Sequence, residues 1–377
     1  MDRNDILKKR SGCSVEVLKG FMLLINFSVF LLKMKLKTFY SYLCVSPCIL
    51  RGSLCNLKNA KFTNMNHASL VFAFIVVIVG FSQFPLTAQN SKTLSESYIE
   101  KYNHHISDAA LLNQLNKLPA EEVIEAFIPF TKDSISTIRS EARQQIAKAG
   151  FRSDKPKTRH SALEIVMQGL DDKDVGTIGL AVNLLTQFRP ADFDAEDRYI
   201  LSQKIKPGTP YLEKIILLTG YVKIPDLIYN YRQMLLEKEK YNSRIRLNMQ
   251  LALARMGDTT AIQSVVNRIK RITISDNMVY EVYPLLAYTR QKEVFGLLLE
   301  TIMSDSKDCH SSNPDKETPI ICAFRVIEMV APYIIDFPVK VDASGEIIFE
   351  NYSKTLDEVR AWIAVHKTDY TLNDEKY

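Results

Sequence analysis

The stretch Ser243–Ile262, SRIRLNMQLALARMGDTTAI, holds a helix, its stop and the start of the next helix in one short run. Ile245, Ala252, Leu253 and Met256 recur at helical spacing. Gly257 then reads as a helix C-terminal residue needing positive φ, and Asp258 as the N-cap of the following TTAIQSVVNRIKRI. An earlier stretch, IRSEARQQIAKAG, carries the same pattern with Ile138, Ala142, Ile146 and Ala149 on one side and Gly150 as the expected helix end. Arg139 stands 11 residues before Gly150 and Arg246 the same distance before Gly257, and the two glycines are 107 residues apart. Further helix ends near Phe188, Gly220, Arg290 and Pro332 give an interval of about 33 to 42 residues. A recurring interval of that size, each unit a helix pair, predicts an all-α chain built as an α-solenoid.

The residues that carry this pattern resemble HEAT-like repeats. The family's second helix and turn run as a β-branched residue followed by Arg, then small and apolar residues, then Gly-Asp and a small residue opening the next helix. Ile245, Arg246, Ala252, Leu253, Met256, Gly257, Asp258 and Ala261 occupy those places. Ile138, Arg139, Ala142, Ile146 and Gly150 match in the earlier copy, with Phe151 where the Asp would stand. The resemblance spans residues 119–305 and implies a superhelical binding scaffold without naming its partner.

Arg139 and Arg246 are expected to be structural, each reaching an Asp or carbonyl at the adjoining turn. By helical spacing from Ile138 and Ile245, the outward residues of the two matched helices are Glu141, Gln144 and Lys148 in one and Asn248 and Arg255 in the other. This polar stripe of mixed charge is the expected partner-binding surface.

Residues 306–377 depart from the repeats. Cys309 and Cys322 bracket the polar loop HSSNPDKETPII, and an oxidising compartment would join them. Cys309 beside His310 is the alternative, as a metal-ligand or nucleophile pair, but no second Cys/His pair at ligand spacing accompanies it. Val339–Val341 and Glu346–Phe349, linked by DASG, read as a hairpin. Ser353 is expected to cap a helix reaching about His366, so the region reads as a cap on the last repeat, made of a hairpin and a helix.

Compartment is set by SLVFAFIVVIVGFSQFPLTAQN, Ser69–Asn90, whose apolar run from Leu70 to Phe81 is 12 residues long. A membrane-spanning helix needs roughly 20 such residues, so the run reads as a signal-peptide core cleaved after Ala88, with an uncleaved anchor as the rival. Residues 65–88 are then the leader, 89–118 an N-terminal helical segment, and residues 1–64, with Cys13, Cys44, Cys48 and Cys55, an over-extended N-terminus. Of the 48 basic and 43 acidic residues, 11 and 3 precede residue 89, so the remainder carries a net charge of −3. That near-neutral chain lacks the basic footprint of a nucleic-acid binder.

No HExxH, GxSxG, Cys-x-x-Cys or phosphate-cradling loop is present, so no catalytic, cofactor or metal residues are assigned. The expectation is a periplasmic or secreted scaffold for another protein or a cell-envelope component, touching membrane if the leader is retained. An all-helical polysaccharide lyase or hydrolase is the alternative, and a membrane-anchored scaffold is a third reading. The leader reading predicts that native protein begins at Gln89. Intact-mass measurement checks it, and residues before Met65 in the mature species would refute the proposed start.

Overall fold

The computed structural model describes residues 90–237, 239–310, 319–340, 342, 347 and 351–377. The leader, the first 64 residues and most of the expected hairpin, including Val341, Glu346 and Phe349, lie outside the described residues. Among the described residues the chain is all-α, with Cys309 to Ile320 and Ile334 to Leu372 forming isolated antiparallel bridges. No helix among them is long and apolar enough to cross a membrane.

In chain order α1 covers residues 90–103, α2 Ala109–Lys117, α3 Ala120–Phe127, α4 Ser136–Arg152, α5 Pro156–Met167, α6 Val175–Leu185 and α7 Ala195–Gln203. There follow α8 Leu212–Tyr221, α9 Asp226–Leu236, α10 Ser243–Arg255, α11 Thr259–Ile269, α12 Tyr283–Tyr288, α13 Lys292–Met303, α14 Ala323–Val330 and α15 Tyr352–His366.

Short polar side chains start many of these helices by satisfying backbone N–H groups that have no partner within the helix. Asp108 accepts from Leu111, Asp174 from Thr177, Asn242 from Ile245 and Asp258 from Ala261. Asp194 and Asp197 cap α7 reciprocally. Asn351, rather than Ser353, caps α15, because its carboxamide reaches the Lys354 N–H one turn on and Ser353 already lies inside the helix.

Gly257 ends the α10 turn at φ 88°. Gly150 does not end its helix: α4 continues to Arg152. The glycine is needed there for close packing, since a Cβ would stand 2.6 Å from the Ala162 Cβ on α5. The apolar faces close around one core that includes Phe127, Ile146, Leu163, Leu185, Phe188, Leu201, Tyr221 and Phe295, all buried. Cys309 and Cys322 are joined by a disulfide and buried with that core.

Polar contacts repeat at one interval. Arg139 grips Asp172 with two bonds, Nε to Oδ2 at 2.8 Å and Nη2 to Oδ1 at 2.6 Å, across 33 residues. Arg159 reaches Asp192 at 2.7 Å across 33 residues. The Tyr221 hydroxyl meets the Phe188 carbonyl at 2.9 Å, and Arg255 the Tyr288 carbonyl, both again across 33 residues. Arg139 also donates to the carbonyls of Asp133 and Ser134, so it ties one turn to the next. Among the described residues Arg246 makes no such pair: the residue 33 places on is Val279, an apolar core residue, and the Arg246 Nε, like those of Arg143 and Arg255, is buried without a partner.

Asp172 is the acceptor on which the first of these contacts depends. Arg143 also approaches it at 3.2 Å, and all three side chains are nearly inaccessible. The Arg139 hydrogen bonds outweigh burial and hold the Asp172 carboxyl at about 2. Its folded value is depressed, so its contribution to stability is complete above the unfolded value of about 4 and is lost as pH falls from there towards 2. Asp172→Asn leaves two buried guanidinium groups without a counter-charge and is expected to lower unfolding free energy by about 3–5 kcal/mol. Urea titration at pH 7 measures this, and the wild-type advantage should shrink as pH drops below 4.

Candidate functional site

A cavity of about 640 Å³ is bounded by α1, α2, the turn between them and one face of α4. α1 breaks at His105, whose φ of 57° turns the chain back on itself. Asp108 fixes the far side of that turn by capping α2 and pairing with Lys101. From this corner Tyr98, Tyr102, Ile106 and Leu112 supply an apolar wall, and α4 presents Glu141, Gln144 and Lys148 opposite them.

The polar floor is organised around Glu141. Its Oε1 accepts from the Tyr98 hydroxyl at 2.7 Å and from the Gln145 amide at 2.6 Å. The Tyr98 ring stacks on Tyr102 with centroids 6.4 Å apart and meets the edge of Phe127. Burial first, and then the Glu141 hydrogen bond and charge, push the Tyr98 phenol far above its ordinary value. Burial and Glu141 raise Tyr102 as well. Both phenols therefore stay protonated and serve as hydrogen-bond donors rather than bases. Asp108 is likewise engaged, by the Leu111 N–H and the Lys101 ammonium.

Three of the five residues expected on the partner stripe converge here. Glu141 is buried, Gln144 half-buried and Lys148 exposed, and all three line the cavity. The other two do not face outward. Asn248 is buried and donates to the Glu213 carbonyl at 2.9 Å, tying α10 to α8. Arg255 is 1% exposed and lies under the C-terminal segment. Helical spacing identifies a shared face but not the chain that covers it, which here comes from α8 and from residues more than a hundred positions later.

The aromatic wall is absent from the expected site because its members belong to a different element. Its signal is the Tyr98–Tyr102 pair, four residues apart on one face of α1.

A second polar cluster joins α5 to the start of α7. The Nδ1 of His160 lies 3.0 Å from the Asp192 carbonyl, so that nitrogen carries the proton and Nε2 faces Asp194 at 3.6 Å and Glu164 at 3.8 Å. Asp197 stands 3.5 Å from the ring, and His160, Asp194 and Asp197 approach closely enough to share an ion. Asp194 and Asp197 are already engaged as the reciprocal cap of α7, which accounts for their placement without a ligand.

Comparison with protein-family models, curated proteins and solved structures finds no match for this chain.

Burial works against charge on His160, but the Asp192 carbonyl and the three carboxylates prevail and raise its value. The stability this contributes is therefore present below the unfolded value of about 6.5 and is lost as pH rises through the folded one. NMR titration of the imidazole should give a midpoint above 6.5 in the wild type. The midpoint should move down in Asp194→Asn, and an unchanged midpoint would remove Asp194 as a source of the shift.

Proposed function

We propose that this chain is an exported HEAT-like repeat scaffold that binds another protein or a cell-envelope component in the cavity between α1, α2 and α4. The observation that carries the reading is the convergence of Glu141, Gln144 and Lys148 on one cavity with a tyrosine wall and an already hydrogen-bonded floor. A site built that way can orient a ligand, and its carboxylates have no free proton-transfer geometry. That favours binding over the lyase or hydrolase chemistry of the alternative, which needs two converging acids.

The repeat reading is supported by the five contacts that return at 33 residues, Arg139 to Asp172, Arg159 to Asp192, Lys204 to Asp171, Tyr221 to Phe188 and Arg255 to Tyr288. Export is supported by the Cys309–Cys322 disulfide, a bond that persists in oxidising compartments. The wall and the exposed Lys148 together suit a peptide segment carrying an apolar side chain beside a carboxylate.

The test is quantitative capture from native envelope extract with residues 89–377 as bait, comparing wild type with Lys148→Glu. Reversal of this exposed charge should reduce recovery of the partner several-fold while altering stability by about 0.5 kcal/mol or less. Equal recovery would remove the cavity as the binding site.

A further inference from the structure

The last residues of the chain lie in a groove with an unusual division of labour. Asp374, Glu375 and Lys376 leave their side chains exposed, while the carbonyls of Asn373 through Tyr377 turn inward. Each of those carbonyls meets a side chain of the groove. Arg290 donates to Asn373 at 3.2 Å and to Tyr377 at 3.1 Å, Arg255 to Asp374 at 3.1 Å, and the Tyr221 hydroxyl to Glu375 at 2.6 Å. The Lys376 carbonyl receives both arginines, at 3.0 and 3.3 Å. Two side-chain features add selectivity. The Tyr377 ring sits between Tyr221 and Tyr288, with centroids 5.4 and 5.5 Å away, and Asp374 pairs with Lys223 at 2.7 Å.

This is the chemistry of a receptor for extended backbone. Arg255 and Arg290 are buried, and among the described residues the side-chain carboxylate paired with Arg255 is that of Asp374, 3.8 Å away and half exposed, while Arg290 reaches main-chain oxygens up to that of Tyr377. Stacking fixes both guanidinium planes: Arg290 lies 3.4 Å from the Tyr333 ring centroid, and Arg255 is 5.4 Å from those of Tyr221 and Tyr288. Two buried cations held rigid and aimed at successive carbonyls would be costly to leave unmet. The segment turns the Tyr377 ring inward as well, so the groove meets a run of main-chain oxygens and one aromatic side chain. These residues are separate from the cavity of α1, α2 and α4, so the inference does not depend on that site.

We infer that the groove formed by Tyr221, Arg255, Tyr288, Arg290 and Tyr333 is a peptide-binding site, and that residues 373–377 occupy it in place of a partner. The partner is an extended segment of another protein with an aromatic residue at the Tyr377 position and a carboxylate three residues before it. Because the resident segment is tethered, its effective concentration is on the order of millimolar, and a partner must compete with it.

The probe is a fluorescent peptide of sequence TLNDEKY, blocked at both ends, titrated against full-length chain. Full-length Asp374→Ala/Tyr377→Ala, with its own segment weakened, should bind the peptide at least tenfold more tightly than the wild type. Adding Arg290→Gln, or replacing the peptide tyrosine with alanine, should reverse that gain. A double variant with native circular dichroism that shows no saturable binding, or binding equal to that of the wild type, would overturn the proposal. Should the double variant fail to fold, hydrogen exchange on the wild type decides. The Asn373 amide, bonded to the Tyr333 carbonyl at 2.8 Å, should lose protection in several millimolar peptide, and unchanged protection would count against the site.

Discussion

A buried guanidinium must find an acceptor, and in this protein Arg139, Arg159 and Arg255 find one 33 residues further along the chain. Arg139 with Asp172 and Arg159 with Asp192 are the charged cases, and Arg255 with the Tyr288 carbonyl is the neutral one. Each contact is long-range in sequence, so no helix pair can satisfy it alone. The cost of leaving such a charge unmet links neighbouring units more specifically than apolar burial, which tolerates small slippage.

The two candidate binding regions differ in how their polar groups are met. At the N-terminal end α4 has an exposed turn of polar residues, and α1 folds back over part of it through the Tyr98–Glu141 hydrogen bond, leaving the rest as a cavity. Near Tyr221 and Tyr288 the arginines project where no further helix supplies acceptors, and the C-terminal segment supplies carbonyls instead. One region thus offers an aromatic wall with a fixed polar floor and the other a row of side-chain donors aimed at backbone carbonyls.

The limits of helices were legible in the sequence because the residues that set them act within about one turn. Gly257 and Asp258 stop and restart the chain between α10 and α11 through their own backbone and nearest amides. The pairing of Cys309 with Cys322 was legible because, of the six cysteines, these two alone follow residue 88 and they bracket one short polar loop. The wall of the cavity was harder to see: Tyr98 and Glu141 are 43 residues apart, and nothing local in either helix announces the other.

What the sequence alone determined is therefore the all-helical character and the shared face of Glu141, Gln144 and Lys148, both consequences of period and capping. Tertiary structure decided which of those faces stayed open. Gly150 reads as a helix end by its type, yet the approach of Ala162 makes it a packing contact inside α4. Arg255 sits at an outward helical position, yet a segment 119 to 121 residues away lies across it and converts a surface cation into a buried donor. Periodicity fixes the angle at which a side chain leaves its helix. Whether water or chain meets it there depends on contacts made from far along the sequence.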